Sequence, residues 1–234
     1  MTLTTKDKIL DTAERLFAEQ GYDATSLRQI IAAAAVNLAA VHYHFHSKEE
    51  LLDAVILRKV TPVNEERTAL LDRFEREAGD SAPPVEQVLE AFIAPTFGAR
   101  ERSPQFVKLM GRVHAEGIML RLMTEHFQPL LGRFLDAFQR ALPDVDREEL
   151  LWRIHFMVGA MAHTLRSRPE IHQAAGVKAN FGADQISRSL IDFLAAGFRV
   201  SWGATSAPAP AGPSPSKTPA VLPEKAPAAV LQEK

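Results

Sequence analysis

Apolar and polar residues alternate along the first third of the chain at the spacing of short amphipathic helices. Apolar residues recur at helical intervals from Ile9 to Phe17, and glycine at position 21 ends the pattern. Three pairs have capping-box spacing, in which a hydroxyl side chain starts a helix and a side chain three residues later bonds back. The pairs are Thr4 with Asp7, Ser26 with Gln29, and Ser47 with Glu50.

The segment from Ala24 to Lys48 predicts two short helices joined by a tight turn. The first begins after Ser26, and a run of alanines keeps it thin enough for a close neighbour. Asn37 is a suitable cap for the second helix, which ends near Phe45. Two helices across such a turn form the geometry that sets the second one into a DNA major groove.

The remainder of the chain predicts further helices and no strand. The predicted helices cover residues 85–98, 104–117, 119–142, 147–166 and 183–200, and a loop covers 168–182. Pro62 either kinks the helix from Lys48 or starts a fresh one, and Pro129 splits or kinks the helix around it. We therefore predict an all-α protein with a helix-turn-helix head at 1–52, an all-helical body at 53–202 and a disordered tail at 203–234.

The amino-acid composition excludes several kinds of chemical site and several classes of protein. The 234 residues include no cysteine, which excludes disulfides, thiolate metal sites and cysteine nucleophiles. The polar start is unlike a secretory signal, and no apolar run approaches the ~20 residues that span a bilayer. We expect a soluble, cytoplasmic protein that does not bind membranes.

The charge distribution differs from that of a simple DNA-binding protein. The net charge is −2, and residues 1–59 hold seven basic and eight acidic residues. A strongly basic domain, the usual electrostatic footprint on DNA, is missing. The segment from Ala24 to Lys48, however, contains no acidic residue. We expect specific DNA binding with a weak non-specific background.

The chain resembles the TetR family of one-component transcriptional regulators over residues 5–58. The resemblance lies in ILDTAERLFAEQGYDATSLRQI, VNLAAVHYHF and SKEELL, and RVHAEG and RIHFMVGAMAHTL look like the regulatory domain of one TetR branch. Three residues depart from the family pattern. Ala35 stands in the turn where glycine is usual, Ile31 where a small residue is usual, and His46 where glycine or proline is common. In a left-handed turn conformation, alanine costs about 1 kcal/mol relative to glycine.

This resemblance implies a homodimer. Each subunit would combine a three-helix DNA-binding head with a body that binds a small molecule and pairs through its last two helices. Effector binding would move the two heads apart and release the operator.

The resemblance and the chemistry of the side chains nominate DNA contacts. Tyr43 and Lys48 suit phosphates, the latter at a helix N-terminus, and Arg28 suits a guanine edge. The alternative is a core tyrosine, a solvated lysine and simple caps. Phe45 is assigned to the core. The full set of nominated DNA contacts is Thr25, Ser26, Arg28, Asn37, Leu38, Ala39, Ala40, His42, Tyr43, His44 and Lys48.

The body offers two further sets of residues. Candidate effector contacts are Phe92, Phe106, Met110, His114, Met123, Phe127, Trp152 and Phe156, although such apolar stripes are more often core. Their apolar character favours a hydrophobic or amphipathic effector. Candidate dimer contacts are Leu151, His155, Val158, Ala162, Ile186, Leu190, Phe193 and Leu194.

Three alternatives remain open. His42, His46 and Glu50 have metal-ligand spacing on a continuous helix, but a break at Ser47 would separate them. A helical hydrolase or metal-dependent oxygenase is disfavoured, because the chain lacks Gly-x-Ser-x-Gly and His-Glu-x-x-His motifs. A small-molecule-binding protein with a decayed DNA head is the third. We predict a ligand-responsive DNA-binding regulator, not an enzyme, with no cofactor and no metal.

Overall fold

The computed structural model describes residues 4–166, 170–178 and 181–200, and the described residues contain helices and no strand. The all-α class is therefore confirmed, while the predicted disordered tail lies outside the described residues. The helices are α1 Thr5–Gln20, α2 Leu27–Ala34, α3 Leu38–His44, α4 Lys48–Ala78, α5 Val85–Arg102, α6 Pro104–Ala115, α7 Met119–Leu122, a π-helical turn Met123–Phe127, α8 Gln128–Ala141, α9 Arg147–Arg166, α10 Glu170–Ala174 and α11 Ala183–Arg199.

The predicted caps begin the first three helices. The Thr4 hydroxyl accepts the Asp7 N–H at 3.1 Å, and the Ser26 hydroxyl accepts the Gln29 N–H at 3.2 Å. Asn37 accepts the Ala40 N–H at 2.8 Å. These bonds satisfy orphan donors of each first turn, so local sequence alone starts these helices.

The fourth cap differs from its prediction in one bond. The Ser47 hydroxyl accepts the Glu50 N–H at 3.0 Å, as a capping box requires. The Glu50 carboxylate instead accepts the N–H of His46, one residue before the cap, at 3.1 Å. The helix still begins at Lys48, as predicted.

Two prolines fail to interrupt their helices. The predicted fresh helix at Pro62 is wrong, because the 31-residue helix α4 continues through this residue, while the predicted kink stays a prediction. Buried residues lie on both sides of Pro62, including Ile56 and Val63, so packing along one face outweighs the lost hydrogen bond. Helix α5 likewise continues through Pro95 and ends at Arg102 rather than near residue 98.

The predicted helix at 119–142 is divided into three. A π-helical turn at Met123–Phe127 separates α7 from α8, and Pro129 lies in the first turn of α8. A proline there removes an N–H that has no helical partner in any case. The predicted loop at 168–182 is also corrected, since it contains the short helix α10.

Two apolar clusters hold the described chain together. The head cluster contains Phe17, Ile30 and Val41 from α1 to α3, but also Leu109 and Leu122 from α6 and α7. The body cluster joins α4, α5, α8, α9 and α11. Since α4 runs through residues 52 and 53 and α6 completes the head cluster, head and body share structural elements. The predicted boundary at 52/53 stays a prediction.

Candidate nucleic-acid interface

The turn between α2 and α3 is built on a left-handed alanine. Ala35 has φ 52° and ψ 44°, and it is the one described non-glycine residue with positive φ. Its N–H donates to the Ala32 carbonyl, and the Val36 N–H donates to the Ile31 carbonyl, both at 3.3 Å. The left-handed conformation inferred from the family pattern is therefore present, and it is occupied by a residue that adopts it at a cost.

Helix α3 turns two different faces to the core and to solvent. Val41 and Phe45 are buried, which confirms the assignment of Phe45 to the core. Tyr43 is 82% exposed and Leu38 is 55% exposed. The interpretation of Tyr43 as a core residue is therefore wrong, and α3 presents an aromatic and an aliphatic side chain to solvent.

Most of the other nominated DNA contacts on these two helices also reach solvent. Ser26 and Arg28 at the start of α2 are exposed. On α3 and its cap, Ala40 and His44 are half-buried, and the exposed residues are Asn37, Ala39 and His42. The exposed residues among them are therefore open to a DNA contact.

Thr25 lies inside the head rather than on this surface. Its side chain is 1% exposed, and its hydroxyl donates to the Gly21 carbonyl at 2.7 Å. The hydroxyl therefore holds the turn between α1 and α2. Its nomination as a DNA contact has no support in this geometry.

Lys48 is neither solvated nor free. Its ammonium donates to the Tyr22 carbonyl at 2.8 Å and to the Thr25 carbonyl at 3.0 Å. It also lies 4.1 Å from the centroid of the Tyr22 ring, within cation–π range. The interpretation as a solvated lysine is wrong. A phosphate contact stays a prediction, and it would be made by a side chain that already joins α4 to the α1–α2 turn.

Helix α6 and its C-terminal cap contact the end of α1 and the turn that follows it. The Arg112 guanidinium donates to the Ala18 carbonyl at 3.0 Å and the Glu19 carbonyl at 2.8 Å, at the end of α1. The Glu116 carboxylate accepts the Tyr22 N–H at 2.9 Å. We call Arg112 and Glu116 the α6 clasp. Sequence reasoning did not find it, and its one signal was the helical four-residue spacing of the pair within RVHAEG.

A network of charges joins the amino-terminal part of α4 to the segment around the π-helical turn. The Arg121 guanidinium donates to both Asp53 oxygens at 2.7 and 3.0 Å and to Glu125 at 2.7 Å. His126 Nε2 lies 3.3 Å from Asp53. Partial burial raises the pKa of Asp53, but the bonds from Arg121 and His126 outweigh it and hold this pKa below its usual value.

One group of side chains among the described residues is spaced closely enough to hold a metal ion. Ligand atoms of Asp53, Glu125 and His126 lie within 4.8 Å of one another. Because Arg121 already binds both carboxylates, a cation there would compete with a guanidinium, and we assign the group to ion pairing. The metal-ligand spacing of His42, His46 and Glu50 is broken, since α3 ends at His44 and α4 begins at Lys48.

The nominated effector contacts do not form one group. Phe92 is in the body cluster, and His114 is exposed. Trp152 and Phe156, each 51% exposed, lie on the outer face of α9. The remaining four belong to the head cluster or pack against it: Phe106, Met110, Met123 and Phe127.

The nominated dimer contacts divide between surface and core. Phe193 is 73% exposed on α11, whereas Leu194 is 6% exposed and packs in the body cluster. A direct dimer contact by Leu194 is therefore incompatible with its burial in its own subunit. The exposed nominees on α9 are Leu151, His155, Val158 and Ala162, and the half-buried ones on α11 are Ile186 and Leu190.

The fold and the exposed face of α3 define a helix-turn-helix DNA-binding protein with an all-helical body. Residues 9–55 match the family described as "Bacterial regulatory proteins, tetR family". Residues 90–197 match the family described as "Tetracyclin repressor-like, C-terminal domain". The chain belongs to the TetR family of transcriptional regulators. This is a family of regulators rather than enzymes, in agreement with the prediction from sequence.

Solved structures share this fold. A TetR-like transcriptional regulator from Rhodococcus sp. RHA1 has a TM-score of 0.57 at 17% identity, over 83% of this chain and 95% of that chain. PfmR, a TetR family regulator from Thermus thermophilus, has a TM-score of 0.53 at 21% identity, over 82% and 96%. At these identities the likeness concerns the fold alone.

Closer sequence relatives match over short segments. The chain is 46% identical over 46 residues to the biofilm operon icaADBC HTH-type negative transcriptional regulator IcaR of Staphylococcus epidermidis, which is 20% of this chain and 25% of that protein. It is 39% identical over 56 residues to "Probable HTH-type transcriptional regulator YttP" of Bacillus subtilis, which is 24% of this chain and 27% of that protein. The chain thus matches about a quarter of the length of these relatives. None of the described helices combines the length and the apolar composition that a membrane span requires.

Proposed function

We propose that this protein is a homodimeric, cytoplasmic transcriptional repressor. It binds an inverted-repeat operator through α2 and α3, and it leaves the operator when a small hydrophobic or amphipathic effector binds its body. One relative over part of the chain is a negative transcriptional regulator, which supports repression rather than activation.

The exposure of Tyr43 carries this proposal. An aromatic side chain that is 82% exposed contributes little to the stability of its own subunit, and it projects from a short helix capped by Asn37. The surrounding segment, Ala24 to Lys48, has no acidic residue to repel phosphates. A helix of this kind suits the major groove, with Tyr43 on the backbone and Leu38 against a thymine methyl.

Dimer formation is supported by the outer faces of α9 and α11. Leu151, Trp152 and Phe156 on α9 and Phe193 on α11 are between 44% and 73% exposed. Helices α9 and α11 pack on each other within the subunit. Two such pairs form a four-helix bundle across a two-fold axis, which sets two recognition helices about one DNA turn, ~34–36 Å, apart or somewhat further.

The α6 clasp supports a route from body to head. Helix α6 holds the end of α1 through Arg112 and the α1–α2 turn through Glu116, while Leu109 and Val113 of the same helix lie in the head cluster. A displacement of α6 on effector binding would therefore move the head as one piece. Such a movement changes the distance between the two recognition helices.

Selection of bound sequences from random double-stranded DNA tests the proposal. The full-length chain is expected to enrich a palindromic consensus, and Tyr43→Ala is expected to enrich none while keeping the thermal midpoint of the wild type. Thr61→Ala, an exposed change on α4 outside the nominated DNA, effector and dimer contacts, serves as the matched control. Failure of the folded wild-type dimer to enrich any sequence would contradict the proposal and leave a ligand-binding protein without a working head.

A further inference from the structure

An arginine lies in the body next to the core without an acidic partner. Arg67 on α4 is 9% exposed. Its Nε–H donates to the Phe92 carbonyl on α5 at 2.9 Å, and its guanidinium carbon lies 4.0 Å from the centroid of the Phe92 ring. The charge is thus held between a carbonyl and an aromatic face, both neutral.

The other bonds of this guanidinium are neutral as well. Nη1 donates to the Asn64 side-chain oxygen at 3.0 Å, and Nη2 donates to the Thr96 hydroxyl at 2.8 Å. Within the described ranges no carboxylate forms an ion pair with Arg67. A guanidinium has five N–H donors, so three are used and one is left on each terminal nitrogen.

Such an arrangement is costly for a protein to maintain. A buried charge is normally paired, because removing it from water is unfavourable and neutral acceptors only partly offset that cost. Burial lowers the pKa of Arg67 to about 10, which still leaves it charged at neutral pH. Arg153 is the other buried arginine among the described residues, and it forms the expected ion pair, with Glu149.

We propose that Arg67 is the anion-binding residue of the effector site, and that the effector is an organic anion with an apolar tail. Its acid group would accept the remaining N–H of Nη1 and of Nη2, the two-point recognition that a guanidinium gives a carboxylate or phosphate. Its tail would pack against the ring of Phe92, which contacts Phe134 at 5.1 Å between centroids. This inference rests on the proposed function as an effector-responsive regulator.

The geometry gives the acid group a side from which to approach. Asn64 and Thr96, the partners of the terminal nitrogens, are half-buried, whereas the bond from Nε to Phe92 is buried. The two terminal nitrogens therefore bond to less buried partners than Nε does, and an acid group would approach the guanidinium from their side.

Arg67 is also placed to influence the head. It lies 19 residues after Lys48 on the same helix, or about 28 Å along its axis. Neutralising the buried charge would draw α4 and α5 together around the anion. The amino-terminal end of that helix carries the bonds from Lys48 to the α1–α2 turn.

Ligand-dependent thermal shifts of the full-length protein, measured without DNA, test the inference. The probes are decanoate and 4-butylbenzoate, with decan-1-ol and 4-butylbenzyl alcohol as neutral counterparts of similar size. We expect the carboxylates to raise the unfolding midpoint of the wild type and the alcohols to leave it within about 1 °C. Arg67→Met should abolish the response to the carboxylates.

Two further variants sharpen the comparison. Arg73→Met is the matched control, because Arg73 lies on the same helix beside Phe74 but is exposed and paired with Glu77. It should respond as the wild type does. Arg67→Lys keeps the charge without the two-donor fork, so we expect it to bind the carboxylates about tenfold more weakly or worse.

Several results would overturn the inference. These are equal shifts with acids and alcohols, no shift with either carboxylate in the wild type, or an unchanged response in Arg67→Met. If Arg67→Met does not fold, unchanged carboxylate affinity in Arg67→Lys has the same meaning. Operator binding by the wild type without a carboxylate response contradicts this inference alone, whereas a carboxylate response without operator binding contradicts the proposed repressor function.

Discussion

Lys48 contacts Tyr22 in two ways at once. Its ammonium donates to the Tyr22 carbonyl at 2.8 Å and lies 4.1 Å from the centroid of the Tyr22 ring. The N–H of the same tyrosine donates to Glu116 of the α6 clasp. Tyr22 is therefore the residue at which the start of α4, the α1–α2 turn and the body meet.

Substitutions of Lys48 and of Tyr43 should have different effects on stability and on DNA binding. Lys48→Ala removes two hydrogen bonds to carbonyls and a cation–π contact, so it should lower the thermal midpoint and weaken operator binding. Tyr43→Phe changes an exposed side chain and should weaken binding while leaving the midpoint unchanged.

Fluorescence anisotropy on a fixed operator at several salt concentrations, with thermal unfolding in parallel, measures both effects. If Lys48 contacts a phosphate in the complex, Lys48→Ala should reduce the salt slope by roughly 1. An unchanged slope would restrict Lys48 to its structural role. Arg28→Ala, at an exposed position, should instead relax the preference at one base position.

Ala35→Gly should stabilise the head. Alanine at φ 52° is strained, and glycine adopts this conformation freely, so we expect a gain of up to about 1 kcal/mol in the free energy of unfolding. Urea unfolding measures it. Ala33→Gly, at an exposed position inside α2, is the control and should lose roughly 0.5–1 kcal/mol. A loss at both positions would show that the turn tolerates alanine without strain.

Gly21 and Glu116 should be coupled in a double-mutant cycle. Gly21 has φ 95°, and a Cβ placed there would clash with the Glu116 Oε1 atom. Gly21→Ala should therefore cost about 1 kcal/mol or more from the backbone and displace Glu116 from the Tyr22 N–H. In a Glu116→Ala background the second part of this cost disappears. Chemical unfolding of the four proteins gives the coupling energy, and additive effects would contradict the contact.

Phe193 and Leu194 should behave differently although they are neighbours. Phe193→Glu places a charge on the exposed face of α11 and should yield folded monomers that bind the operator weakly. Leu194→Ala removes a buried side chain and should lower the free energy of unfolding by roughly 2–5 kcal/mol while the protein still dimerises. Analytical ultracentrifugation at micromolar concentration distinguishes them. A wild-type monomer that bound its operator tightly would refute the dimer.

Asp53→Asn should weaken the dependence of the free energy of unfolding on pH under acidic conditions. The folded-state pKa of Asp53 is held below its unfolded value of 3.8, so its contribution is full above that value and is lost as the pH falls through the lower folded value. The free energy of unfolding should therefore fall less between pH 5 and about pH 2 in the variant than in the wild type. Arg121→Ala should give a similar flattening, because Arg121 donates the bonds that lower this pKa.

The sequence by itself determined the helices of the head and their junctions. Thr4, Ser26, Asn37 and Ser47 are caps whose partners lie three residues away, so each helix start depends on contacts within one turn. The positive φ of Ala35 follows from the family pattern at that turn. Contacts within a single turn can be predicted from the sequence without knowledge of the tertiary structure.

Only the tertiary structure decided what the buried and bridging charges do. Glu116 meets Tyr22 across 94 residues, Arg121 meets Asp53 across 68, and Arg67 meets Phe92 across 25. The tertiary structure also decided that α4 continues through Pro62, because packing along the helix outweighed the local tendency of proline to end it. No local pattern encodes these outcomes, because each depends on which distant helix packs alongside, and that follows from the burial of apolar surface over the whole chain.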